Sequence, residues 1–328
     1  MSVARSLHTA TQLPSGDVLI AGGGAPSDAT SECELLDPRS GLSRPAARMN
    51  VPRFSHTATL LSDGKVLIVG GLGPAANSAE LYDPVQDVFT PAGPLSAPRS
   101  DAHAVVLLED GQVLLIGGDP SGTGAAPVAS AELYDPVTGS FRPTGSMSIP
   151  RRPFGVVRLR DGRLLVAGGT TTGKQVVASA EVYDPRSGAF APTGSLLTAR
   201  HKHAAALLPD GRVLVMGGTS GNRDSVILSS AEIYDPARGN FQATSSLRFG
   251  RYKTTGVSLP DGSVLVTGGA AELAELYDAG LGQFALPVGG RQGVRFFASA
   301  TLLSDGSVLI AGGYGDNGSQ ATVWRYTR

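Results

Sequence analysis

The sequence predicts an all-β protein, a single closed array of seven similar four-stranded units. Three observations predict it. A stretch typified by residues 53–71, R-F-S-H-T-A-T-L-L-S-D-G-K-V-L-I-V-G-G, returns seven times through 328 residues. Each copy ends in paired glycines that begin at Gly22, Gly70, Gly117, Gly168, Gly217, Gly268 and Gly312, spaced 44 to 51 residues apart, a period that marks an array of repeats. No segment shows helical periodicity beyond a turn or two, and 44 glycines with 22 prolines suit a turn-dense chain.

Within one unit the elements follow in order. Residues 56–62 read as a first, innermost strand. Asp63-Gly64 then gives a hairpin signal, expected as a two-residue type I′ turn. Residues 65–69 are apolar throughout, so both faces of this second strand should be covered. Gly70-Gly71 turns the chain where a Cβ would clash. Residues 79–82 form a third strand, stopped by Asp83-Pro84 because proline lacks an N–H. Phe89 opens a fourth strand, and Pro91 and Pro94 suit an outer edge. The hairpin signal recurs at Ser15-Gly16, Asp110-Gly111, Asp161-Gly162, Asp210-Gly211, Asp261-Gly262 and Asp305-Gly306. Tyr82, Tyr134, Tyr183, Tyr234 and Tyr277 share a third-strand slot, with Leu36 expected there in the first unit and Trp324 in the last. Phe89, Phe141, Phe190, Phe241 and Phe284 share a fourth-strand slot, filled by Ser43 in the first unit.

Four strands per unit, a Gly-Gly after the second, then Tyr and Phe: over essentially the whole chain this resembles the kelch repeat, with blades similar to those of the bacterial kelch and galactose-oxidase-like groups. The resemblance implies a seven-bladed β-propeller around a central channel. The expected organisation is one domain over 1–328, with blades near 5–50, 51–97, 98–149, 150–198, 199–249, 250–293 and 294–328. Residues 1–9 align with 49–57, and nothing at either end reads as a fourth strand for the last blade. That blade is therefore expected to have three strands, all C-terminal and with no exchanged strand, leaving an edge open to self-association.

Net charge is −1, which gives no electrostatic footing for nucleic acid. No apolar run approaches the roughly 20 residues of a spanning helix. No secretion signal is legible in the chain, which reads as cytoplasmic as it stands and extracytoplasmic if it is part of a longer secreted protein. Cys33 is the sole cysteine, so no internal disulfide forms.

Some residues recur in every unit. Arg5, Arg53, Arg99, Arg151, Arg200, Arg251 and Arg295 stand at the unit entry. Glu34, Glu80, Glu132, Glu181, Glu232 and Glu275 stand in the third strand, with Thr322 expected in that place in the last. Guanidinium forks match carboxylates, so each Glu is expected to pair with an entry Arg within or between blades. A residue present in every copy reads as scaffold.

His8, His56, His103 and His203 share the slot that opens the innermost strand, where Phe154, Thr254 and Ala298 stand in other units. Converging histidines are a candidate metal site; the plainer reading is a polar strand start, and no cofactor is expected. The resemblance to galactose oxidases implies a Tyr-His pair in this slot, further copper ligands and a cross-linked Cys. Here Leu7, Ser55, Ala102 and Lys202 precede the histidines, and Cys33 falls in a third strand.

Function is sought where the units differ: between the entry Arg and the inner strand, and after each Gly-Gly. These positions hold Phe54 in blade 2, Asp101 and Asp119 in blade 3, and Arg152 and Phe154 in blade 4. They hold His201 and Lys202 in blade 5, Tyr252 and Lys253 in blade 6, and Phe296, Phe297 and Tyr314 in blade 7. The expected mouth has a cationic sector, an aromatic sector and opposing carboxylates, suited to a protein, an acidic peptide or a small anionic ligand with an apolar part. No nucleophile elbow, P-loop, dinucleotide fingerprint or HExxH is present, so binding is favoured over catalysis. Two alternatives stand: an enzyme with a polar site over the axis, mutarotase- or cyclase-like or metal-dependent, and a carbohydrate-binding accessory domain of a larger secreted protein.

Overall fold

In a computed structural model, which describes residues 1–328 apart from 26–27, 102, 123–125 and 222–223, the chain forms seven antiparallel sheets arranged as a propeller. Blade 2 shows the pattern: Thr57–Leu60, Val66–Val69, Ala79–Asp83 and Val88–Ala92, paired in that order. Six sheets have four strands. The last has three, Ser299–Leu302, Val308–Ala311 and Val323–Tyr326, with no fourth strand among the described residues. The second strand of each blade is buried along its length, as its unbroken apolar sequence requires. The core lies between blades: Leu19 and Cys33 of blade 1, for example, pack on Val66, Ile68 and Tyr82 of blade 2.

Two expectations are corrected. The Asp-Gly turns are not type I′. The Leu61 N–H donates to Lys65 O at 2.8 Å and the Gly64 N–H to Leu61 O at 3.0 Å, and within this turn only Gly64 has positive φ. The loop is therefore three residues, with glycine in the left-handed position and Asp63 Oδ1 accepting the Lys65 N–H. In blade 7, Tyr326 rather than Trp324 occupies the tyrosine slot: Val308 pairs with Tyr326 as Val66 pairs with Tyr82. Trp324 faces Ile310, where other blades place Glu, while Thr322 precedes the strand.

The recurrent residues build the joints. Each entry Arg pairs with the Glu of its own blade, from Arg5–Glu34 at 3.0 Å to Arg251–Glu275 at 2.7 Å, with all six arginines fully buried. The other Glu oxygen accepts backbone N–H groups of the connector, such as Asn50 and Ser96. The carbonyl of the same Arg accepts the N–H of the second glycine of the preceding blade. This bond occurs at all seven joints, 2.9 Å at Gly23–Arg53 and 2.9 Å at Gly313–Arg5. The ring thus closes from blade 7 to blade 1 by the contact used everywhere else, with no exchanged strand among the described residues. The paired glycines are required by this approach. A Cβ on Gly22 would stand 2.6 Å from Arg53 O and 2.8 Å from the His56 ring. In blade 7, Arg295 has no carboxylate and donates instead to Gln292 O, Gly312 O, Thr322 O and Thr322 Oγ1.

Candidate functional site

Three of the four slot histidines tie neighbouring blades together. His56 Nε2 lies 3.1 Å from Thr9 Oγ1, His103 Nε2 3.0 Å from Thr57 Oγ1, and His8 Nε2 3.0 Å from Ser299 Oγ across the closing joint. His203 faces Gly155, where the hydroxyl is missing, and neither of its ring nitrogens has a partner. Burial pushes His8, His103 and His203 down to about 3 and His56 well below the usual imidazole range. These rings are neutral, and each bonded one faces the neighbouring blade rather than a common point. Among the described residues no group of three or more His, Cys, Asp or Glu side chains has metal-holding geometry.

The two sets of variable positions form one rim. The residue after the entry Arg, or in blade 3 the second residue after it because Ser100 intervenes, bridges the residue after the Gly-Gly: Asp101 with Asp119, Arg152 with Thr170, His201 with Thr219, and Phe296 with Tyr314. One residue further on, Leu7, Ser55, Lys202, Lys253 and Phe297 adopt left-handed backbone with φ between 53° and 57°, a strained state for side chains with a Cβ. Backbone bonds between blades hold several of them: Ser55 N–H to Leu7 O at 3.0 Å, Lys253 N–H to Lys202 O at 2.9 Å, and Leu7 N–H to Phe297 O at 3.3 Å. Ala102, in the same place in blade 3, lies outside the described residues.

Side chains from five blades connect along this rim. Asp101 of blade 3 pairs with Arg152 of blade 4. The Arg152 guanidinium carbon lies 5.9 Å from the Phe154 ring centre, and that ring meets His201 edge-on at 5.8 Å. His201 Nε2 is 2.8 Å from Thr219 Oγ1 and 3.0 Å from Asp224 Oδ1. Burial, reinforced by Lys202, takes His201 down to about 4 against the pull of Asp224, so the imidazole is neutral and its contact with Asp224 is a hydrogen bond to a carboxylate and not an ion pair. Lys202 pairs with the other Asp224 oxygen. Burial works against the Asp224 carboxylate, but hydrogen bonds from Lys202 and Thr219 and the Lys202 charge hold it below the usual range. Next comes an aromatic box. Lys253 Nζ stands 4.5 Å from the Phe297 ring centre and 5.3 Å from those of Tyr252, Phe296 and Tyr314, and bonds Tyr314 Oη at 2.7 Å. Burial lowers Lys253 from the ordinary lysine range, with Asp224 opposing, and raises Tyr314 and Tyr252.

The charge pattern differs from the expected one. Asp101 does not oppose the cations but neutralises Arg152, and Lys202 is neutralised by Asp224. Asp119 is buried, its Oδ1 accepting from Ser121. Phe54 holds the equivalent place in blade 2, its carbonyl accepting the Leu72 N–H at 2.9 Å, outside the arc of side-chain contacts. Lys253 remains as the rim cation with no carboxylate in ion-pair distance among the described residues. Asp224 and Thr219 escaped the sequence reading; the available signal was their place in the blade 5 loop that follows Gly217-Gly218. Clefts of about 310 and 440 Å³ lie elsewhere, between the Asp-Gly turns. Their recurrence from blade to blade assigns them to the scaffold.

Residues 200–246 match the family model described as the Kelch motif. No curated protein matches the chain. Among solved structures, a fungal alcohol oxidase of the AA5 family, in complex with copper, superposes with a TM-score of 0.75. It is 18% identical, over 95% of this chain and 70% of that one. Fold and matched repeat together define a seven-bladed β-propeller of the kelch type. Among the described residues the copper donors implied by the galactose-oxidase resemblance are not assembled. Leu7, Ser55 and Lys202 stand where a tyrosine would precede the histidine. Cys33 is buried in the joint between blades 1 and 2, its thiol pushed up to about 11 by burial. The mouth's His201 and Tyr314 are engaged by Asp224 and Lys253. No helix among the described residues is long and apolar enough to cross a membrane.

Proposed function

We propose that this propeller is a binding module whose blade-entry rim takes a protein, peptide or small ligand bearing an anionic group beside an apolar one. The observation that carries the reading is Lys253. Its two cationic neighbours on the rim, Arg152 and Lys202, are neutralised by carboxylates, whereas Lys253 is held among four ring faces with none. An anion reaching Nζ would meet a charge in partly water-excluded surroundings, and its apolar part would lie on Phe296 and Phe297.

Phenylacetate is a suitable probe, with line-broadening and shift perturbation in NMR titrations as the readout. Lys253→Met should weaken its binding about tenfold or more, the loss of one charge-assisted contact, while the melting temperature holds. Equal affinity in the variant would sink the reading. Lys202→Glu tests the outer cation: placed beside Asp224 it leaves two carboxylates together, so it should lower anion affinity and also loosen the blade 5 loop.

A further inference from the structure

We propose that Lys253 and Tyr314 form a carbonyl-trapping pair, the Lys253 amine condensing with an aromatic or other apolar aldehyde or ketone held on the aromatic wall of the mouth. The inference rests on the mouth being a ligand site and names a ligand class for it. Four observations meet at this residue. The amine stands among the rings of Tyr252, Phe296, Phe297 and Tyr314, which shield it partly from water. The Tyr314 hydroxyl lies 2.7 Å from Nζ, within reach of a proton transfer. The backbone that presents the side chain is left-handed, φ 54°, and pinned by the bond from the Lys253 N–H to Lys202 O. No carboxylate among the described residues pairs with the amine, unlike that of Lys202.

Desolvated lysines in apolar pockets are the ones that serve as nucleophiles. The charged and titratable groups around Lys253 are Lys202 beyond the Tyr252 ring, Asp224, and the Tyr252 and Tyr314 hydroxyls. Ring faces attract the ammonium, and Asp224 favours it; against Asp224, burial is the larger influence and lowers Lys253 toward the free amine.

The chemistry balances without an oxidant. The Nζ lone pair attacks the carbonyl carbon, forming the C–N bond, and the carbonyl oxygen takes the Tyr314 proton. Nζ returns a proton to the tyrosinate. A second proton from Tyr314 lets the hydroxyl leave as water, and the nitrogen electron pair closes the protonated imine. Loss of the remaining nitrogen proton to Tyr314 restores the phenol. The net change is amine plus carbonyl to imine plus water.

The chain has four lysines, Lys65, Lys174, Lys202 and Lys253, so the test is internally referenced. The full chain is incubated with benzaldehyde and cyanoborohydride, which reduces any imine to a stable benzylamine. Peptide mass spectrometry then gives the labelling rate at each lysine as a function of pH. Lys253 should label faster than exposed Lys174 and half-buried Lys65 near neutrality, since a lowered pKa raises the free-amine fraction. Its rate should level off at a lower pH than theirs. Tyr314→Phe should slow Lys253 alone, with an unchanged thermal melt. Should that variant unfold, the wild-type ratio of Lys253 to Lys65 decides by itself. Labelling of Lys253 no faster than Lys65 overturns the proposal. Phenylacetate titration on the same sample keeps the two readings apart. Bound phenylacetate with unlabelled Lys253 sinks only the imine, and labelled Lys253 with no phenylacetate binding sinks only the anion site.

Discussion

Glu132 illustrates what a recurrent charge does in this chain. It accepts from Nε and Nη2 of Arg99 at 3.1 and 2.7 Å and from the Ser96 N–H, and both side chains are buried. Glu132→Ala leaves a buried guanidinium with only the carbonyls of Gly117 and Ser130 and the Ser130 hydroxyl. The expected loss is about 3–5 kcal/mol, read from denaturant unfolding. The slot histidines give a second expectation, in pH. His8, His103 and His203 are held neutral down to about 3 by burial, and His56 is lowered in the same way, whereas in the unfolded chain all four titrate near the ordinary 6.5. Between these values the unfolded chain binds more protons, so stability rises with pH. It is fully present above about pH 6.5 and is lost progressively as pH falls toward 3. Melting temperature measured from pH 7.5 to 4 should fall, and His56→Gln should flatten the curve. The Arg and Glu spacings made the pairing legible. The histidines' partners were not, because Thr9, Thr57 and Ser299 belong to neighbouring blades.

The blade 5 loop shows how one element decides the character of the rim. Asp224 returns from beyond Gly217-Gly218 to accept from Lys202 and Thr219 and to meet His201. Asp224→Asn should release Lys202 to face solvent beside the aromatic box. Phenylacetate affinity should then rise a few-fold, within the roughly 1 kcal/mol of a partly exposed charge interaction. Unchanged affinity would place the ligand away from Lys202. Ten of the twelve rim residues singled out from sequence, all but Phe54 and Asp119, lie on the arc of side-chain contacts. They were legible because each hangs at a fixed offset from a repeat signature. The neutralisation of Arg152 by Asp101 was not legible, because an offset gives a place in one blade and says nothing of the direction in which a long side chain leans.

The closed ring depends on seven like joints, and the seventh is made without any covalent or exchanged-strand link among the described residues. Gly313 N–H donates to Arg5 O, Arg5 N–H to Gln320 O, and the N-terminal ammonium to Ala321 O. Val18 and Ile20 pack with Leu309 and Ala311. Gly312→Val should break this joint: φ is +59°, and its Cβ would collide with the Arg5 carbonyl and the His8 ring. A left-handed β-branched residue alone costs about 1–2 kcal/mol, and the collision adds to it. Urea unfolding should show a lower midpoint, and hydrogen exchange should rise first in blades 1 and 7. Equal protection across all blades would show that closure is not the weak joint.

The sequence by itself determined the number of blades, the order of their strands, the three-stranded last blade and the buried Arg–Glu pairs, because these follow from short-range patterns copied around the array. The tertiary structure alone decided the shape of the Asp-Gly turns, the register that puts Tyr326 in the tyrosine slot, the partners of the histidines, and which rim cation stays unpaired. Each of these is settled by atoms brought close from another blade or by backbone angles, and a linear spacing records neither.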